Sequence, residues 1–403
     1  MDEQLKSKIN LRLFPVYKMF AWDLLFYYSI IFLFLTQIKG FTAAEIVFGD
    51  AFYPLFRMLL QFFCVYLVDI FGKKKSLLIG NLLLSVTVFC LMFCNSILIL
   101  IVLNFLFAIA YNIKAICEPT LLSNSIPRYK KKSNIYSKLD GKGNSLFYYI
   151  DAISAFLSGF LFVINPYMPM ILCFIFCIIS TIISYNFVEI DFSSFKHNKN
   201  SSKNDIKNHL YEMKRIFKII LKSKRLLCLL CCSSIFAAIF SIFSTLRSSL
   251  LVDLKIPIQY FGIILAICQF ISAVSSKHNI KFHNLFKNRL LTWFAFSITI
   301  SFIFTGLFIL CNFNRSIIFM AFGLMLIIVS IITGPYHTLI QRYFNSFSNS
   351  SVNTKIYSVK TSFEGFFRFL LNMAVSFILT FTNTAGCFTI IRLCPSYNFH
   401  IFT

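Results

Sequence analysis

Predominantly apolar runs follow one another along the whole chain, at about residues 16–37, 44–68, 76–94, 97–122, 145–164, 168–187, 227–251, 258–276, 290–311, 316–340 and 359–382. Crossing ~30 Å of hydrocarbon takes about 20 such residues in a helix, because only a helix satisfies its own backbone polar groups at that depth. The pattern predicts eleven transmembrane helices. The first run follows a charged N-terminus and has no small-residue cleavage site, so it is expected to stay in the mature protein.

The longest interruption, about Val188 to Leu226, is rich in Lys, Asn and Ser. It divides the chain into a six-helix half at 1–190, a cytoplasmic linker at 191–226 and a second half at 227–403. Within it Leu210, Met213, Ile216, Phe217 and Ile220 lie among basic residues. That pattern fits either an amphipathic helix on the anionic inner leaflet or a solvated linker. Faint matches relate the halves: Leu35 to Lys39 with Leu251 to Lys255, Thr120-Leu-Leu with Thr338-Leu-Ile, and Ile135-Tyr-Ser with Ile356-Tyr-Ser. Their common order and slowly drifting offset fit a duplicated unit. The fold class expected is an all-α polytopic membrane protein of two six-helix halves. Past the eleventh run, a short apolar stretch ends at Ile391 and is followed by Arg392, Pro395, Asn398 and His400. The last helix therefore reads as truncated.

Composition agrees: 58% of the residues are hydrophobic and 13% charged, against about a quarter charged in a soluble domain. The net charge of +23 could suggest nucleic acid, but its distribution argues otherwise. Of 38 Lys and Arg residues, 30 fall before the first run, in alternate loops or, as Lys18 and Lys360 do, in the first turn of the adjoining run, and 3 in the intervening loops, at Lys39, Lys255 and Arg315. Basic residues are retained on the cytoplasmic side, which predicts a cytoplasmic N-terminus in the cell membrane. The 13 cysteines lie mostly inside apolar runs, without zinc spacing, and read as small buried hydrophobes. Neither metal nor cofactor is expected.

Between the second and third runs stands Val65-Tyr-Leu-Val-Asp69-Ile-Phe-Gly72-Lys73-Lys74-Lys75. It resembles the signature loop of the major facilitator superfamily, G-x-x-x-D-[RK]-x-G-[RK]-[RK], with Val65 and Ile70 as departures. The resemblance implies a conformational latch at Asp69, Gly72, Lys73 and Lys74 favouring the outward-facing state. A second stretch, Glu118 to Ser125 with Asp140-Gly-Lys-Gly-Asn144 and Ser158-Gly159 to Tyr167, is similar to poorly characterised bacterial branches of that superfamily. Gly159 lacks the GP partner of many drug/proton antiporters. The family implies a solute site between the halves near the bilayer midplane.

Ionisable residues inside apolar runs are costly and so are candidates for function. Asp50 and Arg57 stand two turns apart with Gln61 a turn below, beside Pro54; Arg57 is the first candidate to meet an anionic group. Lys114 with Glu118, and Glu364 with Arg368, have the i,i+4 spacing of self-neutralising pairs. Asp23 and Asp151, placed about two turns from cytoplasmic ends, are candidate coupling-proton carriers, and capping or ion pairing is the alternative. Arg247 is expected to snorkel or meet a carboxylate. No P-loop, activated nucleophile or metal cluster points to an enzyme. The expected function is secondary transport of a small organic molecule by a monomer, with proton-coupled efflux as one form. Nutrient uptake is the alternative, and an inactive truncated carrier or a sensor the alternative of another class.

Overall fold

A computed structural model describes residues 3–127, 132–188, 223–254, 256–277, 285, 289–311, 314–346 and 350–381. The elements are α1 (Glu3–Ala21), α2 (Ile31–Leu33, continued by a π turn, Phe34–Ile38), α3 (Ala43–Phe71), α4 (Lys73–Leu91), α5 (Ile97–Ser125), α6 (Lys132–Ile164) and α7 (Met168–Tyr185). After the interruption come α8 (Lys224–Asp253), α9 (Ile258–Lys277), α10 (Leu290–Leu310), α11 (Arg315–Ser346) and α12 (Ser350–Phe381). Among the described residues, nine helices are long and apolar enough to cross a membrane. α3 adds a 29-residue helix carrying Glu45, Asp50, Arg57 and Asp69, about 43 Å long at 1.5 Å per residue.

The remaining run departs from expectation. Residues 16–37 do not form one span: α1 starts far earlier, stops at Ala21, and helix resumes only at Ile31. Two other helices also outrun their apolar stretches. α6 begins at Lys132 and α12 at Ser350, so the chain between Lys132 and Lys142, read as loop, is helical. The possible amphipathic helix of the linker and the truncated last helix expected past the eleventh run fall on 189–222 and 382–403, outside the described residues.

Local chemistry sets the turns. Thr42 caps α3 through a reciprocal box, its hydroxyl accepting from the Glu45 amide at 3.2 Å while Glu45 accepts from the Thr42 amide at 2.8 Å. Between α3 and α4 a single residue, Gly72, turns the chain at φ 79° and ψ 162°, a region essentially closed to residues with a Cβ. Its amide closes α3 on Val68 O and its carbonyl opens α4 through the Ser76 amide, each at 3.0 Å. Gly72→Ala is expected to cost about 1–3 kcal/mol, read as a lower thermal midpoint of the purified protein.

In the first half α1 packs on α6, and α5 on α3 and α4; α4 also packs on α7. In the second, α11 packs on α9 and α10, and α8 on α12. Two seams join the halves, α6 with α9 and α3 with α12. Small residues make both possible: a Cβ on Gly262 of α9 would lie 2.4 Å from the Ala155 carbonyl oxygen of α6, and one on Gly365 of α12 2.6 Å from that of Pro54. Outward faces carry large exposed apolar side chains such as Phe63, Leu98, Ile182, Phe304 and Phe377, an arrangement suited to lipid rather than water.

Candidate functional site

The break in the first span is organised by Asp23. Its Oδ1 accepts from the Leu24 amide at 2.9 Å, the Tyr28 hydroxyl at 3.0 Å and the Tyr111 hydroxyl of α5 at 2.5 Å. An Asp that bonds its own neighbouring backbone offers the chain an alternative to helix, and Phe26 within the break has a φ of 63°. Asp23 is therefore in mid-run between two helices, not two turns from the end of one. Tyr27, Tyr28, Tyr53, Tyr111 and Tyr148 all lie within its electrostatic reach.

Just below, Lys114 of α5 donates to the Ala21 carbonyl at 2.5 Å, placing a cation on the negative end of α1. Its ammonium is also 3.9 Å from Glu118, which accepts from the Tyr17 hydroxyl at 2.9 Å; Tyr17 in turn bonds Asn81 of α4. Lys18 pairs with Asp140 of α6 and lies 4.3 Å from the Trp22 ring centre. These groups tie α1 to α4, α5 and α6. Lys114→Met would leave Glu118 without that cation, and breaking such a pair costs about 3 kcal/mol. Thermal unfolding of K114M against K114M/E118Q is expected to show partial recovery in the double variant.

Along α3, Arg57 Nε donates to Asn112 Oδ1 at 3.1 Å, and Asn112 Nδ2 returns a bond to Arg57 O at 2.8 Å. One step higher, Asn104 of α5 bonds Gly49 O, next to Asp50, at 3.0 Å. The stretches of α3 around Asp50 and Arg57 thus both engage α5. Gln61 does not follow them: it accepts from Thr361 of α12 at 2.6 Å, across the seam.

In the second half, the expected Glu364–Arg368 pair is not made. Glu364 is flanked by cations at both i,i+4 positions and takes Lys360, at 3.3 Å. The Arg368 Nε instead donates to Ala237 O of α8 at 3.1 Å. Arg368 acts electrostatically on Tyr336 and His337 of α11 and on Tyr53 of α3. Asp151 also needs correcting: it is the central residue of the candidate span Lys138–Ile164, because α6 begins earlier than its apolar run. Arg247 of α8, in the second half, lies within its electrostatic reach, with Nε unbonded, while Ser158 of α6 donates to Ser29 of the break at 2.7 Å.

The polar residues missed from sequence are Tyr17, Asn81, Asn104, Tyr111 and Asn112. The three asparagines left a signal, since amides inside apolar helices serve as interhelical glue. The tyrosines left little among so many aromatics. A cavity of about 380 Å³ lined by Leu254, Ile256, Ser316, Phe319 and Met320 lies between the ends of α8 and α11 and touches none of these groups.

A helical bundle with seams α3–α12 and α6–α9, and ionisable groups bonded inside each half, is the setting for the comparison with known proteins. The family model for the Major Facilitator Superfamily matches residues 13–385. The chain belongs to the Major Facilitator Superfamily. Among solved structures, the nucleoside transporter NupG superposes with a TM-score of 0.69 at 10% identity, covering 98% of this chain and 97% of that one. A D-xylose-proton symporter gives 0.66 at 9% identity, covering 98% and 96%. The partially occluded inward-open xylose transporter XylE from E. coli gives 0.63 at 11%, covering 99% and 97%. No curated protein matches the sequence.

At such identities the neighbours speak to fold, and the family supplies the class: a multi-pass membrane protein for secondary transport of small solutes. In this member of the superfamily the signature loop becomes the Gly72 turn. Lys74 lies 5.4 Å from the Tyr185 ring centre of α7. Asp69 is in the last turn of α3, and its side chain lies outside the described residues.

Proposed function

We propose that this protein is a proton-coupled carrier in which residues 1–190 rock against 227–403 about the α3–α12 and α6–α9 seams, with Asp23 as the coupling carboxylate. The single observation that carries the reading is Asp23 in the unwound middle of the first span, held by two phenols from different segments. Its bonds join the break in the first span to α5, so a change at this carboxylate reaches both segments through the two hydroxyls. Broken transmembrane helices place polar backbone where it is buried in protein or lines a water-filled cavity. Lys114, Glu118, Lys18 and Asp140 hold the inner half of the first span, while Asp69, Gly72, Lys73 and Lys74 form the latch. The charge asymmetry of the loops supports a cytoplasmic N-terminus in the cell membrane, and the carrier works as a monomer.

The test is flux in proteoliposomes containing the full chain, across a panel of sugars, nucleosides, amino acids and dyes, with and without a pH gradient. Concentrative movement that a protonophore collapses supports the reading, and its direction separates efflux from uptake. Gradient-independent flux would reduce the protein to a facilitator.

A further inference from the structure

α12 turns one face toward α3. Thr361 bonds Gln61, Gly365 abuts the Pro54 carbonyl and Met58, Phe369 meets Phe52 at 6.3 Å, and Ser376 donates to Ala44 O at 3.0 Å. Arg368 sits one turn beyond Gly365 and Arg57 one turn beyond Pro54, both at the flank of this contact, with their Nε groups turned to α8 and α5. Tyr53 lies within the field of both guanidinium groups, its ring centre 5.8 Å from Arg57 Cζ.

Neither arginine is neutralised. Among the described residues neither has a carboxylate within the 4.0 Å of an ion pair. Arg57 spends its Nε on an amide oxygen and Arg368 on a backbone carbonyl. Glu364, the carboxylate nearest in sequence to Arg368, is bound to Lys360. Asp23 also acts on Tyr53, but its carboxylate already accepts two phenols and an amide. Cations inside a membrane protein pair or mark a solute's path. The planar guanidinium fork matches carboxylate and phosphate oxygens bidentately.

We propose that Arg57 and Arg368 form a two-part oxyanion site, one arginine from each half, that receives the carboxylate or phosphate of an organic anion beside Tyr53. The proposal rests on the carrier reading and names its substrate class. An anion bound by both arginines bridges the halves at the α3–α12 seam. The ring-rich surroundings, with Phe52 and Phe56 on α3 and Phe236, Phe240 and Tyr336 in the second half, suit a solute with an apolar or aromatic body.

Four probes sharing one ring isolate the charge: benzoate, phenyl phosphate, benzyl alcohol and benzyltrimethylammonium, titrated against the purified full chain while its thermal midpoint is followed. At least one of the two anions is expected to raise the midpoint, the stronger one telling carboxylate from phosphate, while the alcohol and the ammonium do not. Arg57→Gln and Arg368→Gln are each expected to weaken the anion's apparent affinity about tenfold or more, with the Lys variants in between. If a Gln variant fails to fold, its Lys variant carries the comparison. The proposal is overturned if neither anion stabilises the protein, if the alcohol does so equally well, or if the variants bind the anion as the wild type does. Arginine-dependent binding without flux would keep the anion site and remove the carrier reading. Proton-driven flux of a neutral solute, unchanged in R57Q and R368Q, would do the reverse.

Discussion

Asp23→Asn is expected to abolish solute accumulation driven by a pH gradient while leaving exchange of solute across the membrane intact. The amide keeps the size of the side chain and an oxygen able to accept from Tyr28 and Tyr111, which bond Asp23 at 3.0 and 2.5 Å. It cannot carry a proton. With one proton per solute, a gradient of one pH unit supplies about 1.4 kcal/mol, enough for roughly tenfold accumulation. The wild type should approach that ratio in proteoliposomes, and D23N should fall to about one. Counterflow, in which labelled solute enters against unlabelled solute at uniform pH, needs only the rocking of the halves and should persist. Retention of the tenfold ratio by D23N would move coupling elsewhere, with Asp151, central in α6 and within reach of Arg247, the next group to replace.

The architecture was legible because the bilayer imposes a coarse rule that a hydropathy pattern records. Each apolar run from Ala44 onward became helix, and the signature loop became a one-residue turn at Gly72. What the pattern could not record was competition between local bonds of similar strength. Residues 16–37 read as one span, since apolarity says nothing of an Asp whose oxygen takes the Leu24 amide and two phenols, nor of Lys114 waiting to cap the carbonyl at Ala21. Glu364 had two cations at helical spacing, and the sequence could not choose between Lys360 and Arg368. Only the tertiary position of Arg368, facing the Ala237 carbonyl, decides it. Gln61 shows a related limit: a shared helical face with Arg57 fixes direction to within tens of degrees, which is enough to send one side chain to α5 and the other to α12.

The seams carry the second large expectation. Gly262→Leu should reduce transport to background, whereas Gly323→Leu should have little effect. At Gly262 an added Cβ meets three backbone atoms of α6: Ala155 O at 2.4 Å, Phe156 O at 2.9 Å and Gly159 N at 3.1 Å. Backbone cannot rotate aside as a side chain can, so α9 must withdraw from α6 along the length of the contact. Overpacking in a close-packed interior costs about 1–3 kcal/mol, and contact with rigid backbone belongs at the upper end. At Gly323 of α11 nothing lies within 4 Å of the added atom, so the control changes composition without crowding. Size-exclusion profile, thermal midpoint and flux should be measured on both variants. A folded G262L with a lowered midpoint and no flux would identify the α6–α9 seam as a pivot, because the bundle would survive the crowding while the motion would not. Undiminished flux in G262L would mean that the halves do not need this close approach, and the rocking axis would have to be sought at α3 and α12 alone.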